Sequence, residues 1–183
     1  ISEYVGDNPA EIADRVKLYV QTLQPYLDEI LPEKGSNRTT GDITNVQLEF
    51  WEGFQKFANE AGTDFRFQTP RARGYMILSL DGQLLVGIAS QNRIAVYLAV
   101  KGENREKIFN QLNSEKATLD KEFGKPLEYK PLPHRQESQI FTLFEHGKLL
   151  DRSTWPETYK WMLKSMERFK VMFSLRLQKL RGR

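Results

Sequence analysis

The spacing of apolar residues near the N-terminus predicts an amphipathic helix that a polar linker separates from the rest of the chain. Asn8 and Pro9 form a typical helix start, and Pro25 is expected to bend the helix. Apolar residues then recur every three or four positions, at Ile12, Val16, Tyr19, Leu23, Tyr26 and Ile30. Residues 33–42 contain no apolar residue. We therefore predict a helical extension and linker over residues 1–42 and a separate domain over residues 43–183.

The second apolar stripe predicts a helix that opens the main domain. Thr44 and Gln47 have the spacing of a capping box, and Gly62 is a natural helix stop. Between them an apolar face recurs at Val46, Phe50, Phe54, Phe57 and Ala61. The last helix is predicted to open in the same way, with a capping box from Thr154 to Glu157. We expect both helices to cover one sheet face with Trp51, Phe54, Phe57, Tyr159, Met162 and Phe169.

The block between these helices alternates as β-strands do. Residues 65–67 alternate, and Asp81-Gly82 separates two β-prone runs as a tight hairpin would. Strands are predicted at residues 74–80, 84–89, 93–100, 127–131 and 139–145. Residues 103–123 have helical spacing and end at Gly124. The predicted fold class is α+β, with an antiparallel sheet of about five strands, a meander plus a hairpin, packed with three helices.

Composition narrows the possible chemistry. Of the 183 residues, 39% are apolar and 28% charged, and no cysteine is present. Disulfides and zinc–thiolate sites are thereby excluded, and we expect a cytoplasmic protein. No apolar run approaches the roughly 20 residues that a membrane span needs, so we expect no membrane partner. The chain begins at Ile1 without an initiator Met. We interpret it as a fragment of a longer protein whose other part carries the activity.

Positive charge is concentrated at the C-terminus. The net charge of the whole chain is +3. Residues 157–183 hold eight basic and two acidic side chains, a segment charge of 8 − 2 = +6. The rest of the chain therefore has a net charge of 3 − 6 = −3. Lys160, Lys164 and Arg168 are spaced by four and share one helix face. Arg71, Arg73 and Arg93 border the meander and are expected to join them. This pattern predicts nonspecific contact with DNA phosphates, and the alternative is an ordinary solvated helix face.

An E-x-K triplet, Glu128 to Lys130, raises the question of a nuclease site. Such a site needs a second carboxylate on a neighbouring strand to hold a divalent metal. Asp120 falls in a predicted helix and Asp81 in a predicted turn, so we favour a solvated strand face. The two histidines, His134 and His146, lie apart in loop-like segments. No catalytic residue, metal site or cofactor is predicted, and a metal-dependent nuclease using Glu128 and Lys130 remains the alternative.

From about residue 46 to 180 the chain resembles the bacterial and archaeal domain-of-unknown-function family DUF4268. The resemblance is carried by "LEFWEGF", by "LDKEFGKPLEY" and by "STWPETYKWMLKSMERFKVMF". Tyr129 stands where the family usually has Trp. The resemblance implies a position at the C-terminal end of a protein whose N-terminal half has a restriction-endonuclease-like fold. It assigns this domain no activity of its own.

These observations lead to one principal expectation about function. We expect a non-catalytic C-terminal module of a larger nuclease-like or defence-related protein, which contacts DNA or dimerises. Its partners would be DNA, the N-terminal domain of the same parent protein, or a second copy bound through the first helix. A pure protein-interaction domain is the other alternative. Deleting residues 1–40 should leave a folded domain if the helical extension is independent of the core.

Overall fold

The computed structural model describes residues 40–180, so the predicted N-terminal helix and most of its linker lie outside the described residues. The helices and strands follow the order α1 Thr40–Glu60, β1 Tyr75–Leu80, β2 Gln83–Ser90, β3 Arg93–Lys101, α2 Arg105–Ser114, α3 Lys116–Phe123, β4 Glu128–Lys130, β5 Glu137–Leu143, a 3-10 turn Arg152–Thr154 and α4 Trp155–Leu180. The five strands form one antiparallel sheet in the order β1-β2-β3-β5-β4. The predicted α+β class and five-stranded antiparallel sheet are confirmed.

The turns that local chemistry specifies form where the sequence predicts them. Asp81 and Gly82 both have positive φ, 46° and 77°, as the tight turn between two twisted strands requires. Gly124 ends α3 in the left-handed conformation, with φ at 85°, and its amide bonds to the carbonyls of Asp120 and Lys121. A side chain at Gly124 would strain this helix end.

Two local predictions are wrong. Helix α1 already includes Thr40, so Thr44 lies inside the helix and does not cap it. Residues 65–67 form no strand, and Phe65 and Phe67 instead pack against the core. Helix α4 begins directly after Thr154, as predicted, and the Thr154 hydroxyl accepts from the backbone amide of Lys148 at 3.2 Å.

The helix predicted over residues 103–123 is two helices, so four helices rather than three accompany the sheet in the described residues. The break falls at Glu115, after Ser114 donates its hydroxyl back to the carbonyl of Gln111 at 2.7 Å. The two halves pack differently, since α2 contacts β3 and β5 while α3 contacts α4. Because of the break, the apolar stripe of α2 can pack on the sheet while that of α3 packs on α4.

The core lies between one face of the sheet and the helices. Trp51, Phe54, Met162 and Phe169 are at most 1% exposed, and Tyr159 is 8% exposed, as the sequence predicts. Phe57 is only partly buried and packs against this cluster. Four further strand residues are buried but lie on the sheet face opposite the helices, outside the core cluster. They are Val86, Ala95, Ala99 and Phe141. Strand β3 is therefore apolar on both faces.

A close contact between Gly53 and Tyr159 gives a test of this packing. The buried hydroxyl of Tyr159 has no hydrogen-bond partner among the described residues, and a Cβ at Gly53 would overlap it. We expect Tyr159→Phe to be neutral or stabilising by up to about 1 kcal/mol, since it removes an unsatisfied polar group. Gly53→Ala alone should cost about 1–3 kcal/mol through overpacking.

The double variant should recover most of this loss, because the overlap with the hydroxyl is gone and alanine favours a helix by about 0.5–1 kcal/mol over glycine. The added Cβ would still lie 3.2 and 3.3 Å from two ring carbons. Urea unfolding of the wild type, both single variants and the double variant measures the coupling free energy. A coupling below about 0.5 kcal/mol would show that the two side chains do not meet as described.

Candidate nucleic-acid interface

Helix α4 presents its basic residues to solvent because its apolar stripe faces the sheet. The start of the helix is anchored by Trp155, whose indole nitrogen donates to the carbonyl of Leu149 at 3.0 Å. Buried positions recur along the whole helix, among them Met162, Met166, Phe169, Phe173 and Leu177. Lys160, Lys164 and Arg168 lie on the exposed side. The structure therefore places these three predicted residues on one accessible helix face.

Other basic residues of this helix are neutralised by acids from distant segments. Lys170 pairs with Asp64. Arg176 binds Glu115 at 2.9 Å through Nε and Glu122 at 2.8 and 3.0 Å through its two terminal nitrogens. Arg181 and Arg183 lie outside the described residues. The excess of +6 counted in the sequence consequently overstates the free positive charge of α4.

The Arg176 network predicts a pH-dependent contribution to stability. Hydrogen bonding to Arg176 is the largest of the effects that lower the pKa of Glu115 below the ordinary 4.5. A lowered pKa stabilises the folded chain above pH 4.5, and this stabilisation fades as the pH falls through the folded-state pKa. Arg176→Gln should therefore reduce the unfolding free energy most near neutral pH, with a difference that narrows below about pH 4.

Denaturant unfolding of the wild type and Arg176→Gln between neutral and acid pH measures that difference. Lys160→Gln is the matched control, since Lys160 is an exposed cation of the same helix. Its effect should be small and independent of pH. A deficit in Arg176→Gln that stays constant with pH would mean that the ion pair contributes nothing and that only packing is lost.

Lys164 and Arg168 of α4 meet Lys125 at a concave site between the end of α3 and α4, which we call the cationic pocket. It has a volume of about 240 Å³ and is lined by Phe123, Gly124, Lys125, Trp161, Lys164, Ser165 and Arg168. Three of these side chains are basic, and none of the described residues that line the pocket is acidic. Lys164 and Arg168 were predicted from the sequence, whereas Lys125 was not, and the turn after α3 brings it to the site.

Two of the three cations are held by backbone carbonyls. Arg168 donates from Nη1 to the carbonyl of Phe123 at 2.6 Å, at the C-terminal end of α3. Lys125 donates from Nζ to the carbonyl of Leu143 at 3.0 Å. Each bond uses one of several N–H groups, since arginine has five and lysine three. Lys125 and Arg168 are thus positioned at the pocket and can still donate to a ligand.

Trp161 forms an aromatic wall of the cationic pocket. Its ring stacks on Phe144 with centroids 5.0 Å apart and an interplanar angle of 19°. The ammonium group of Lys125 is 5.8 Å from the indole centroid. Trp161 is half-buried, whereas Trp51 and Trp155 are 1% and 7% exposed. Trp161 could not be identified from the sequence as a pocket residue, because helical spacing alone cannot show that an indole lines a cavity.

The three predicted arginines of the meander do not line the cationic pocket. Arg71 lies in the exposed segment before β1, and the guanidinium of Arg73 sits 4.5 Å from the ring centroid of Tyr75. The carbonyl of Arg73 accepts a 2.7 Å hydrogen bond from the indole of Trp51. Arg93 begins β3 opposite Ser90. These arginines border the sheet, as predicted, and are not gathered with Lys164.

The E-x-K triplet occupies an edge strand, and its side chains do not converge with a second carboxylate. Lys130 lies 4.0 Å from Glu128 and 4.5 Å from the ring centroid of Phe141 on one sheet face. Tyr129 points to the other face, where Asp120 accepts from its hydroxyl at 3.1 Å and from the amide of Leu127 at 3.0 Å. Burial and the Asp120 carboxylate raise the pKa of Tyr129. Asp120 thus braces the loop between α3 and β4.

Residues 40–180 contain neither a metal-binding cluster nor a membrane-spanning helix. No group of three or more His, Asp or Glu side chains within that range could hold a metal ion. Asp81 lies in the β1–β2 hairpin, across the sheet from the edge strand β4. Nor does any helix in the same range have the length and apolarity to cross a membrane. Neither Asp81 nor Asp120 therefore supplies a second carboxylate beside Glu128.

A larger cavity, of about 620 Å³, includes His134. Its basic residues Lys101, Arg105 and Arg135 alternate with the acids Glu103 and Glu106. Arg105 donates to the carboxylate of Glu106 at 3.1 Å and to the carbonyl of Arg135. The mixture of basic and acidic side chains makes the larger cavity a poorer anion site than the cationic pocket.

The other histidine, His146, packs edge-on against Phe144, with ring centroids 6.0 Å apart.

Comparison with known proteins agrees with the resemblance seen in the sequence. No curated protein matches the chain. The sequence model of one family, described as Domain of unknown function (DUF4268), matches residues 46–177. The match spans α1 from its first buried turns to the last turns of α4, and so contains the whole sheet and the cationic pocket. Since this is well over half of the 183 residues, the chain belongs to the DUF4268 family.

Proposed function

We propose that this domain contacts the phosphate backbone of nucleic acid through the cationic pocket, without reading base sequence. The observation that carries the proposal is the convergence of Lys125, Lys164 and Arg168 on one concave surface whose described lining has no acidic residue. Lys160 lies one helical turn before Lys164 on the exposed side of α4 and extends the same surface. Exposed cations that track a backbone are the general basis of nonspecific binding.

The local electrostatics favour an anion here even though α3 ends at the pocket. The C-terminal end of a helix carries roughly half a negative charge, and less in a short helix. Arg168 donates directly to the Phe123 carbonyl at that end, so part of its charge is offset. The charges of Lys125 and Lys164 remain. An exposed site of this kind gives weak binding that salt suppresses.

In its biological setting we propose a non-catalytic role within a larger nuclease-like or defence-related protein. The support is the family resemblance, together with the separation of Glu128 from Asp120 on opposite sides of β4. The module would hold nucleic acid while another part of the protein performs chemistry. Cytoplasmic localisation is proposed with it, on the absence of cysteine from the sequence.

Titration of a fluorescent duplex oligonucleotide at several salt concentrations tests the proposal. We expect a Kd of about 10⁻⁴ to 10⁻⁶ M near physiological salt, with little difference between unrelated sequences. Three phosphate contacts should give a slope near −2.7 for log K against log salt, at about −0.9 for each contact. Absence of salt-sensitive binding even at low ionic strength would reject the proposal and leave the protein-interaction alternative.

A further inference from the structure

We infer that the cationic pocket takes one unpaired base against Trp161, so that the domain prefers single-stranded nucleic acid to duplex. This inference rests on the proposed function, because the same cations would hold the flanking phosphates. It adds a contact that a phosphate site alone does not have.

The geometry of Trp161 supports a stacking role. Its indole lines the pocket while Phe144 stacks against it at 5.0 Å, so the ring is held in a fixed orientation before any ligand arrives. Lys125 is exposed, and its ammonium group lies 5.8 Å from the ring centroid while it donates to the Leu143 carbonyl at 3.0 Å. That bond uses one of three N–H groups, so the others can donate to a phosphate beside the ring. The pocket therefore combines a fixed aromatic surface with a cation held next to it.

The size of the pocket limits what it can receive. A volume of about 240 Å³ lies below the range of about 300–1,000 Å³ that is usual for drug-sized ligands. It suits one planar group better than a stacked pair or a whole duplex. Bases in a duplex are already stacked and paired, so they cannot offer a free face to Trp161 without being unstacked. An unpaired base can do so while its phosphates meet Lys164 and Arg168.

The chemistry requires both an aromatic and a cationic component. Every base has an aromatic face, so stacking on Trp161 would not select a sequence. Removing one base–aromatic contact usually lowers affinity by roughly 5- to 150-fold. The site is thus expected to distinguish strands that carry bases from strands that carry only the sugar–phosphate backbone.

Three oligonucleotide ligands, each about 12 nucleotides long, separate the base–aromatic contact from the phosphate contacts. They are a dT single strand, an abasic single strand of the same charge, and a duplex of the same length. For the wild-type protein at low salt we expect the dT strand to bind roughly 5- to 150-fold more tightly than the abasic strand. It should also bind more tightly than the duplex. Trp161→Leu should bind the dT and abasic strands equally, and Trp161→Tyr should keep part of the preference.

The outcomes are distinct for the inference and for the proposed function. Equal affinity of the wild type for dT and abasic strands, with salt-sensitive binding of both, would overturn base stacking and leave the phosphate contact intact. Absence of binding to all three ligands would overturn both. Because the ligand comparison is made on the wild-type protein, it decides the question even if Trp161→Leu, which loses the Phe144 contact, does not fold.

Discussion

Replacing Phe54 by alanine is expected to lower the free energy of unfolding by about 3–5 kcal/mol. Phe54 is fully buried, and its ring lies 6.0 Å from Trp51, 5.7 Å from Phe67 and 5.9 Å from Tyr159. It thus joins α1 to α4 and to the segment before β1. Alanine would leave a cavity among rigid rings, which relax poorly into empty space.

Urea unfolding of the wild type and Phe54→Ala measures this loss. Val171→Ala is the matched control, because Val171 is 79% exposed on α4 and its truncation should change stability by no more than about 0.5 kcal/mol. A loss below about 1 kcal/mol in Phe54→Ala would contradict the packing of α1 against α4. It would also contradict the placement of α4 with its apolar stripe on the sheet and its basic face toward solvent.

Sequence patterns predicted the parts of the fold that neighbouring residues determine. The Asp81-Gly82 turn was predictable because only a few residues accept positive φ at both central positions. The strands from residue 75 to 101 were predictable because apolar runs of strand length are separated there by short polar turns. The stop at Gly124 follows from the same left-handed preference.

Contacts between distant residues decided the features that the sequence did not show. The helix break at Glu115 coincides with an ion pair to Arg176, 61 residues further along the chain. Residues 65–67 alternate as a strand does, yet they pair with no strand, and the rings of Phe65 and Phe67 pack against the core. A local alternation of residues does not indicate whether the segment will pair with another strand.

The candidate site also combines residues that a local pattern indicates with residues that only tertiary packing brings there. Lys164 and Arg168 were identifiable, because residues four apart share a helix face. Lys125 was not, since only the packing of α3 against α4 brings it beside Trp161. The neutralising acids were equally invisible, because Asp64 and Glu122 come from segments far from Lys170 and Arg176. Charge counting along one helix therefore overstated the size of the site and missed its composition.

Reversing the charge of Lys125 and Lys164 together is expected to weaken duplex binding by at least about 60-fold at 0.1 M salt. Each phosphate contact contributes a factor of about eight at that salt concentration, from a slope of about −0.9, so two contacts contribute about 60. Repulsion between the new carboxylates and phosphate should add to the loss. Arg168 is left unchanged in this variant, because it donates to the end of α3 and its loss would also destabilise the fold.

The matched control is Lys56→Glu/Lys107→Glu, which makes the same change in net charge at exposed lysines of α1 and α2. Neither residue lines the cationic pocket. This variant should bind nearly as the wild type does, apart from a small effect of net charge. Lys56→Glu/Lys107→Glu should unfold at nearly the wild-type denaturant concentration, since exposed substitutions usually change stability by less than about 0.5 kcal/mol. Lys125→Glu/Lys164→Glu should lose up to about 1 kcal/mol more, because Lys125 donates to the Leu143 carbonyl, and binding is compared under conditions in which both variants are folded.

The salt dependence of duplex binding by these three proteins tests the central claim most directly. A slope near −2.7 for the wild type and for Lys56→Glu/Lys107→Glu, against about −0.9 or flatter for Lys125→Glu/Lys164→Glu, is the result that phosphate contact at the cationic pocket predicts. Equal slopes for the two double variants would mean that binding follows net charge and not the pocket. That result would contradict the assignment of Lys125, Lys164 and Arg168 as the nucleic-acid interface.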